Sequence, residues 1–214
     1  MQLEGKTVNF LGDSITQGYG TSGVEKTFCS ILSNKYKMNC LNYGLGGTRI
    51  ANQKSEENDN SFCIRAMDMN ENADAVIVFG GTNDYGHAVA PIGTPNDRSP
   101  ETFYGALHTL YSFLLEKYTE KPIGIITPLH RIGEDNQQPN EVKNASTITL
   151  KNYVDIIRKV AEYYSLPVLD LYATSGIQPN VPAIQEKFMP DGLHPNDEGN
   201  IILARKIGAF LEQL

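Results

Sequence analysis

Thr7-Val8-Asn9-Phe10-Leu11-Gly12-Asp13-Ser14-Ile15-Thr16 reads as a buried strand that runs directly into a turn. Its first half carries the β-branched and aromatic side chains that fill a pleated interior. Gly12-Asp13-Ser14 then breaks the strand where a helix can begin. Four more runs share this character: Asn39 to Tyr43, Ala75 to Phe79, Ile123 to Thr127 and Pro167 to Leu171, each followed by Gly, Pro or polar residues. Helical patterns lie between them. From Glu101 to Tyr118, Phe103, Leu107, Leu110, Leu114 and Leu115 share a face at i, i+3, i+4 spacing, and from Thr149 to Tyr164 so do Leu150, Val154, Ile157 and Val160. Pro195-Asn196-Asp197 starts a last helix through Ile202, Ala204, Ile207 and Phe210, and a fainter pattern spans Phe28 to Lys35.

Strands alternating with helices predict the α/β class: a flavodoxin-like, doubly wound, three-layer α/β/α domain on a five-stranded parallel sheet of order 2-1-3-4-5. Residues 1–214 are expected to form this one domain. Ligands of such sheets bind beyond the carboxyl ends of the strands. Ser14 follows the first strand, Gly47 the second and Asn83 the third, so all three are placed on that edge. Long polar loops, Tyr85 to Pro100, Pro128 to Ser146 and Tyr172 to Pro190, border it.

Composition narrows the classes of partner. A formal charge of -7, from 25 acidic and 18 basic residues with no basic block, disfavours nucleic acid and anionic membranes. Met1-Gln2-Leu3-Glu4-Gly5-Lys6 lacks the charged-then-apolar run of a secretory signal, and no stretch reaches the ~20 apolar residues of a membrane span. A soluble, cytoplasmic protein without membrane insertion is therefore expected. The 3 cysteines, Cys29, Cys40 and Cys63, show neither CxxC nor histidine-linked metal spacing, and are read as reduced thiols. No metal site and no cofactor are expected, since Asp191 and His194 lack further ligands at any specific spacing.

The chemistry-bearing residues fall in short, widely separated segments. Ser14 at a strand-to-helix turn has a fixed backbone and helix N–H groups nearby, as a nucleophile requires; a helix cap is the structural alternative. Thr16 stands where a GxSxG elbow would need its second glycine, which argues against the α/β-hydrolase fold. Asp191-Gly192-Leu193-His194-Pro195 puts a carboxylate three residues before an imidazole, a spacing at which Asp191 can hold one ring nitrogen while the other faces Ser14; a capped turn is the alternative. His87, His108 and His130 compete as bases. His108 lies mid-helix and reads as structural, and neither His87 nor His130 has a carboxylate at comparable local spacing. Glycine at 47 permits close approach of substrate to a backbone N–H, and the Asn83 amide is a donor that cannot lose its proton. Both also suit simple turns. Asp13 and Asp84 are read as network residues tying loops together.

Gly12-Asp13-Ser14, Gly44-Leu45-Gly46-Gly47, Gly81-Thr82-Asn83-Asp84 and Asp191-Gly192-Leu193-His194-Pro195-Asn196 together resemble, in family order, the four consensus blocks of the GDSL-like SGNH hydrolases. The resemblance spans nearly the whole chain; Ile15 replaces the leucine of the usual tetrapeptide. It implies a serine ester hydrolase, of the lipase/acylhydrolase kind, with Ser14 as nucleophile, His194 as base and Asp191 as its orienter. It also implies an oxyanion hole from the Ser14 N–H, a second-block glycine and the Asn83 side chain. Gly47 is taken by motif position, with Gly46 left open.

Other readings are weaker. Gly18-Tyr19-Gly20-Thr21-Ser22-Gly23 matches GxGxxG, but it begins several residues beyond Leu11 and no ribose-binding acid follows the second strand. A noncatalytic carbohydrate-binding protein would be marked by loss of a catalytic group. An acyltransferase or a longer-chain lipase or thioesterase could use the same machinery. Tyr85, His87, Asn96, Arg98, His130, Arg131, Gln137, Gln138, Asn140 and Asn144 populate the edge loops with groups that bond oxygenated ligands, and Tyr85, His87, His130 and Arg131 are the expected substrate contacts. Without a long apolar lid, the expected substrate is a short acyl ester, an acetyl group on a small molecule or oligosaccharide.

Overall fold

The computed structural model describes residues 1–52, 59–87, 89–136 and 148–214. Strands β1 (Thr7–Gly12), β2 (Asn39–Gly44), β3 (Ala75–Phe79), β4 (Ile123–Ile126) and β5 (Val168–Leu169) form one parallel sheet in the order β2-β1-β3-β4-β5. Helices α1 (Ser14–Gln17), α2 (Phe28–Tyr36), α3 (Phe62–Arg65), α4 (Thr82–His87), α5 (Phe103–Lys117), α6 (Leu150–Tyr163), α7 (Leu171–Thr174), α8 (Pro182–Phe188) and α9 (Asp197–Gln213) connect and flank it.

The period-two alternation of the strands builds two cores. Val76 and Val78 of β3 and Ile123 and Ile125 of β4 face α5 and α6, against Leu107, Leu110, Val154 and Ile157. Ala75, Ile77 and Phe79, with Val8 and Phe10 of β1, face α2 and α9, against Phe28, Leu32, Leu203 and Ile207. Fully burying such a side chain stabilises by about 1.5–3 kcal/mol, which is why both sheet faces are covered. The result is the three-layer α/β/α arrangement. None of the described helices is long and apolar enough to cross a membrane.

Two differences from the sequence reading are local. The fifth strand is shorter than Pro167 to Leu171, because the Asp170 side chain accepts the Ala173 N–H at 3.1 Å and starts α7 at Leu171. The short helices α1, α3, α4, α7 and α8 lack enough turns to show a periodic apolar face in sequence. Chain order positions the site: β2 lies on one side of β1 and β3 on the other, so the loops leaving β1 and β3 diverge and open a crevice at the carboxyl edge.

Candidate active site

Ser14 is the first residue of α1, at the open end of β1. The cap is not Ser14 but Asp13, whose Oδ1 accepts the Ile15 N–H at 2.9 Å. That division of labour leaves the serine hydroxyl available, and Ser14 Oγ lies 3.0 Å from His194 Nε2 across 180 residues of chain. The Ser14 N–H sits in the first helical turn, where no intrahelical acceptor exists.

The Asp191 carboxylate performs both roles considered for it. Oδ1 accepts the N–H groups of Leu193 at 2.8 Å and His194 at 2.7 Å, closing the turn, while Oδ2 lies 2.6 Å from His194 Nδ1. Partial burial alone would raise the Asp191 pKa, but hydrogen bonds from the His194 N–H, its ring and the Leu193 N–H together hold it below the usual carboxylate range. An ionised Asp191 fixes the tautomer with the proton on Nδ1, leaving Nε2 as acceptor toward Ser14.

Donors converge from the neighbouring loops. The Gly46 N–H is taken by Gln17 Oε1 at 2.8 Å, whereas the Gly47 N–H has no acceptor among the described residues. Gly47 has φ +76, and a Cβ there would meet nothing within 4 Å, so the position opens into free space. This geometry favours Gly47 over Gly46. One Asn83 Nδ2 hydrogen goes to the Thr48 carbonyl at 3.0 Å, which fixes the amide and leaves its second hydrogen for another acceptor. Ser14, Tyr19, Gly46, Gly47, Asn83, Asp191, Leu193 and His194 line one cavity of about 520 Å³.

Behind the donors stands a buried charge network. Arg65 donates to the Gly12 carbonyl at 2.9 Å, to Thr48 Oγ1 at 2.8 Å and to the Tyr43 carbonyl, joining the ends of β1 and β2 to the residue that holds Asn83. Asp84 accepts the N–H groups of Ile50 and Ala51, both at 3.0 Å. Burial pushes Asp13 up to about 7, with the nearby Asp84 adding to it and the Ile15 N–H and Arg65 opposing. Burial likewise pushes Asp84 up to about 6, against the Ala51 and Ile50 N–H groups and Arg49. Asp84 ties α4 to the loop after β2, as its position suggested, whereas the Asp13 hydrogen bond is local, capping α1.

The four expected substrate contacts are placed elsewhere. Tyr85 is 1% exposed, and its hydroxyl donates to the carbonyls of Gly133 and Asn136, so it braces the loop after β4 from within the core. Arg131 donates to Thr82 and lies over the Tyr85 ring. His130 does have a local carboxylate, contrary to the sequence reading: Glu134 lies one helical spacing on, at 2.8 Å from Nδ1. His87 is exposed at the end of α4, and none of the four lines the Ser14 cavity. Asn96 and Arg98 are exposed, Arg98 lying over Tyr163 of α6, while Gln137, Gln138, Asn140 and Asn144 fall outside the described residues. His108 is buried with Nδ1 on the Tyr164 hydroxyl, a structural role. Tyr19 and Arg65 were missed. A lone tyrosine in a glycine-rich stretch and a lone arginine between Phe62-Cys63-Ile64 and Ala66-Met67 carry no local signal of a site.

The thiols are poor competitors for the nucleophile's role. Burial raises Cys40 to about 11 and Cys63 to about 12, and Cys29 is also raised. Among the described residues, no three His, Cys, Asp or Glu side chains are grouped to hold a metal ion.

A hydroxyl, an imidazole and a carboxylate in sequence at the carboxyl edge of a doubly wound sheet define a hydrolase-type α/β/α protein. The chain belongs to the GDSL-like Lipase/Acylhydrolase family, whose model matches residues 10–201. That family hydrolyses esters. A crystal structure of a Lactobacillus plantarum protein is 30% identical, with 99% of this chain and 98% of that one covered and a TM-score of 0.85. The lipase/acylhydrolase from Enterococcus faecalis shares the fold at 21% identity, TM-score 0.68, covering 97% and 96% of the two chains. A member of the lipolytic G-D-S-L family from Veillonella parvula does so at 16% identity, TM-score 0.66, covering 97% and 99%. No curated protein matches the chain.

Proposed function

We propose that this protein is a serine esterase that removes short acyl groups, acetyl above all, from a carbohydrate or similar polyol. The observation that carries the reading is the continuous contact from Ser14 Oγ to His194 Nε2 at 3.0 Å and from His194 Nδ1 to Asp191 Oδ2 at 2.6 Å. In the first step His194 takes the Ser14 proton as Oγ attacks the ester carbonyl. The oxyanion accepts from the N–H groups of Ser14 and Gly47 and from the Asn83 amide. His194 then returns the proton to the departing alcohol, leaving an acyl-serine, and activates water to release the acid by the same route in reverse.

The cavity supports the short-chain part of the reading. Leu193 and Tyr19 are the large apolar side chains among its lining residues, beside glycines and polar groups. A fatty chain gains about 0.8 kcal/mol per methylene only where an apolar wall receives it. The partner is accordingly a small-molecule or oligosaccharide ester. A fluorophosphonate probe followed by peptide mass spectrometry is expected to label Ser14; label on a cysteine or on Ser22 would reassign the nucleophile. A nitrophenyl ester series from acetate to palmitate, with acetylated xylo-oligosaccharides and glucose pentaacetate, tests the substrate. Best kcat/KM on C8 or longer esters, with no sugar deacetylated, would leave a serine esterase of another specificity.

A further inference from the structure

The glycine-rich segment from Gly18 to Gly23, of which only Tyr19 lines the Ser14 cavity, runs from the nucleophile's helix to the histidine's loop. Gly18 closes α1 in a left-handed conformation, φ 99, and the N–H groups of Gly18 and Tyr19 both reach the Ser14 carbonyl, at 3.0 and 2.9 Å. The next side chain, Tyr19, is 64% exposed, yet its ring centroid is 4.5 Å from that of His194 at an interplanar angle of 57°. Gly20, at φ +96, presses its backbone against the same histidine: a Cβ there would stand 3.0 Å from both His194 Cβ and the Pro195 carbonyl oxygen. Ser22 then fastens the segment to the first residue of α9, its N–H reaching Asp197 Oδ1 at 2.8 Å and its hydroxyl Asp197 Oδ2 at 2.6 Å. On the far side, buried Asn200 accepts the Phe28 N–H at 2.9 Å and donates to the Pro195 carbonyl at 2.9 Å.

We propose that residues 18–23 are a positioning strap that holds the His194 ring in line with Ser14, and that Tyr19 is the positioning residue in it. The physical need is plain. Asp191 meets Nδ1 and Ser14 meets Nε2, but both contacts lie at the ring's edge and leave its tilt about the line between them to be set by neighbouring groups. The Tyr19 ring blocks one side of the tilt, and the Gly20 backbone limits the Cβ. The aromatic face also attracts the imidazolium that forms when the serine proton is transferred. The strap begins on α1 and ends on α9, so it couples the position of the hydroxyl to that of the base.

The inference rests on the reading of His194 as the base, and the experiment separates the two. With nitrophenyl acetate, Tyr19→Ala is expected to lower kcat roughly tenfold, with any rise in KM from the lost cavity wall smaller than that, because misalignment acts on the reaction step. Tyr19→Phe, which keeps the ring, is expected to restore kcat to within about twofold. Ser22→Ala, releasing the clip, is expected to lower kcat by about threefold. Independently of any substrate, the downfield His194 Nδ1–H proton resonance shared with Asp191 is expected in wild type and in Tyr19→Phe, and broadened in Tyr19→Ala. Unchanged kcat in Tyr19→Ala, a change confined to KM, or failure of phenylalanine to rescue would overturn the strap. So would a resonance equally sharp in the alanine variant. A wild-type chain inactive on every ester would refute the esterase reading, and the resonance would still decide the strap.

Discussion

Two histidine–carboxylate pairs stand at the carboxyl edge of the sheet, and their burial is reversed. In the Asp191–His194 pair the histidine side chain is 12% exposed and the carboxylate 48%; in the His130–Glu134 pair the histidine is 21% exposed and the carboxylate 5%. The first pair presents its inner member, the imidazole, to a serine. The second holds its inner member, the carboxylate, for the protein itself: Glu134 receives His130, Gln178 Nε2 at 3.2 Å and Asn180 Nδ2 at 3.4 Å, and its backbone carbonyl accepts the Leu150 N–H at 3.0 Å. The His130 ring lies against Tyr172, centroids 3.9 Å apart. The two regions touch, since the Ile132 N–H donates to the Gly192 carbonyl at 2.8 Å. A histidine bonded to a carboxylate is thus not a base until its second nitrogen meets a hydroxyl. The second pair is a fastener for the loops after β4 and β5.

The sharpest test removes the hydroxyl that distinguishes the pairs. Ser14→Ala is expected to lower kcat/KM by about four orders of magnitude or more, with an unchanged circular dichroism spectrum. Retained turnover would erase the distinction at its root. Exchanging the histidines comes next: His194→Ala is expected to lower kcat by about three orders of magnitude or more, and His130→Ala by less than about tenfold. The reverse ranking in steady-state assays would hand the catalytic role to the second pair. Asn83→Ala should lower kcat by roughly two to three orders of magnitude with little change in KM, because the oxyanion forms in the transition state. An equal loss in ground-state binding would make Asn83 a substrate anchor instead.

Stability effects should fall on the other pair. Glu134→Ala removes the shared acceptor of His130, Gln178 and Asn180, which are part-buried or exposed, and is expected to cost about 1 kcal/mol in urea unfolding, with kcat near that of wild type. A lost kcat with unchanged stability would break the comparison. The smallest effect is a slope. Unfolded aspartates titrate near ~3.9, whereas burial raises Asp13 to about 7 and Asp84 to about 6 in the fold. Between those limits the native state binds more protons than the unfolded chain, so this contribution to stability falls as pH rises from about 4 to 7. Asp13→Asn, whose amide oxygen can still accept the Ile15 N–H, is expected to flatten that slope when urea midpoints are compared at pH 5 and 8.

Much of this was legible in residue order alone. Short runs of β-branched and aromatic residues, and helical faces at i, i+3, i+4 between them, are local patterns, and local patterns suffice to predict a parallel α/β sheet, its strand order and the edge on which Ser14, Gly47 and Asn83 lie. The four blocks could be read for the same reason, each being a short contiguous turn. Three matters needed the tertiary structure: that Asp13 and not Ser14 caps α1, that His194 and not His130 reaches the serine, and that Tyr19 closes on the imidazole. Each depends on side chains brought together by packing across long stretches of chain. Spacing in sequence says which groups can meet within one turn; which groups meet across a sheet edge is decided by how the layers above and below it pack.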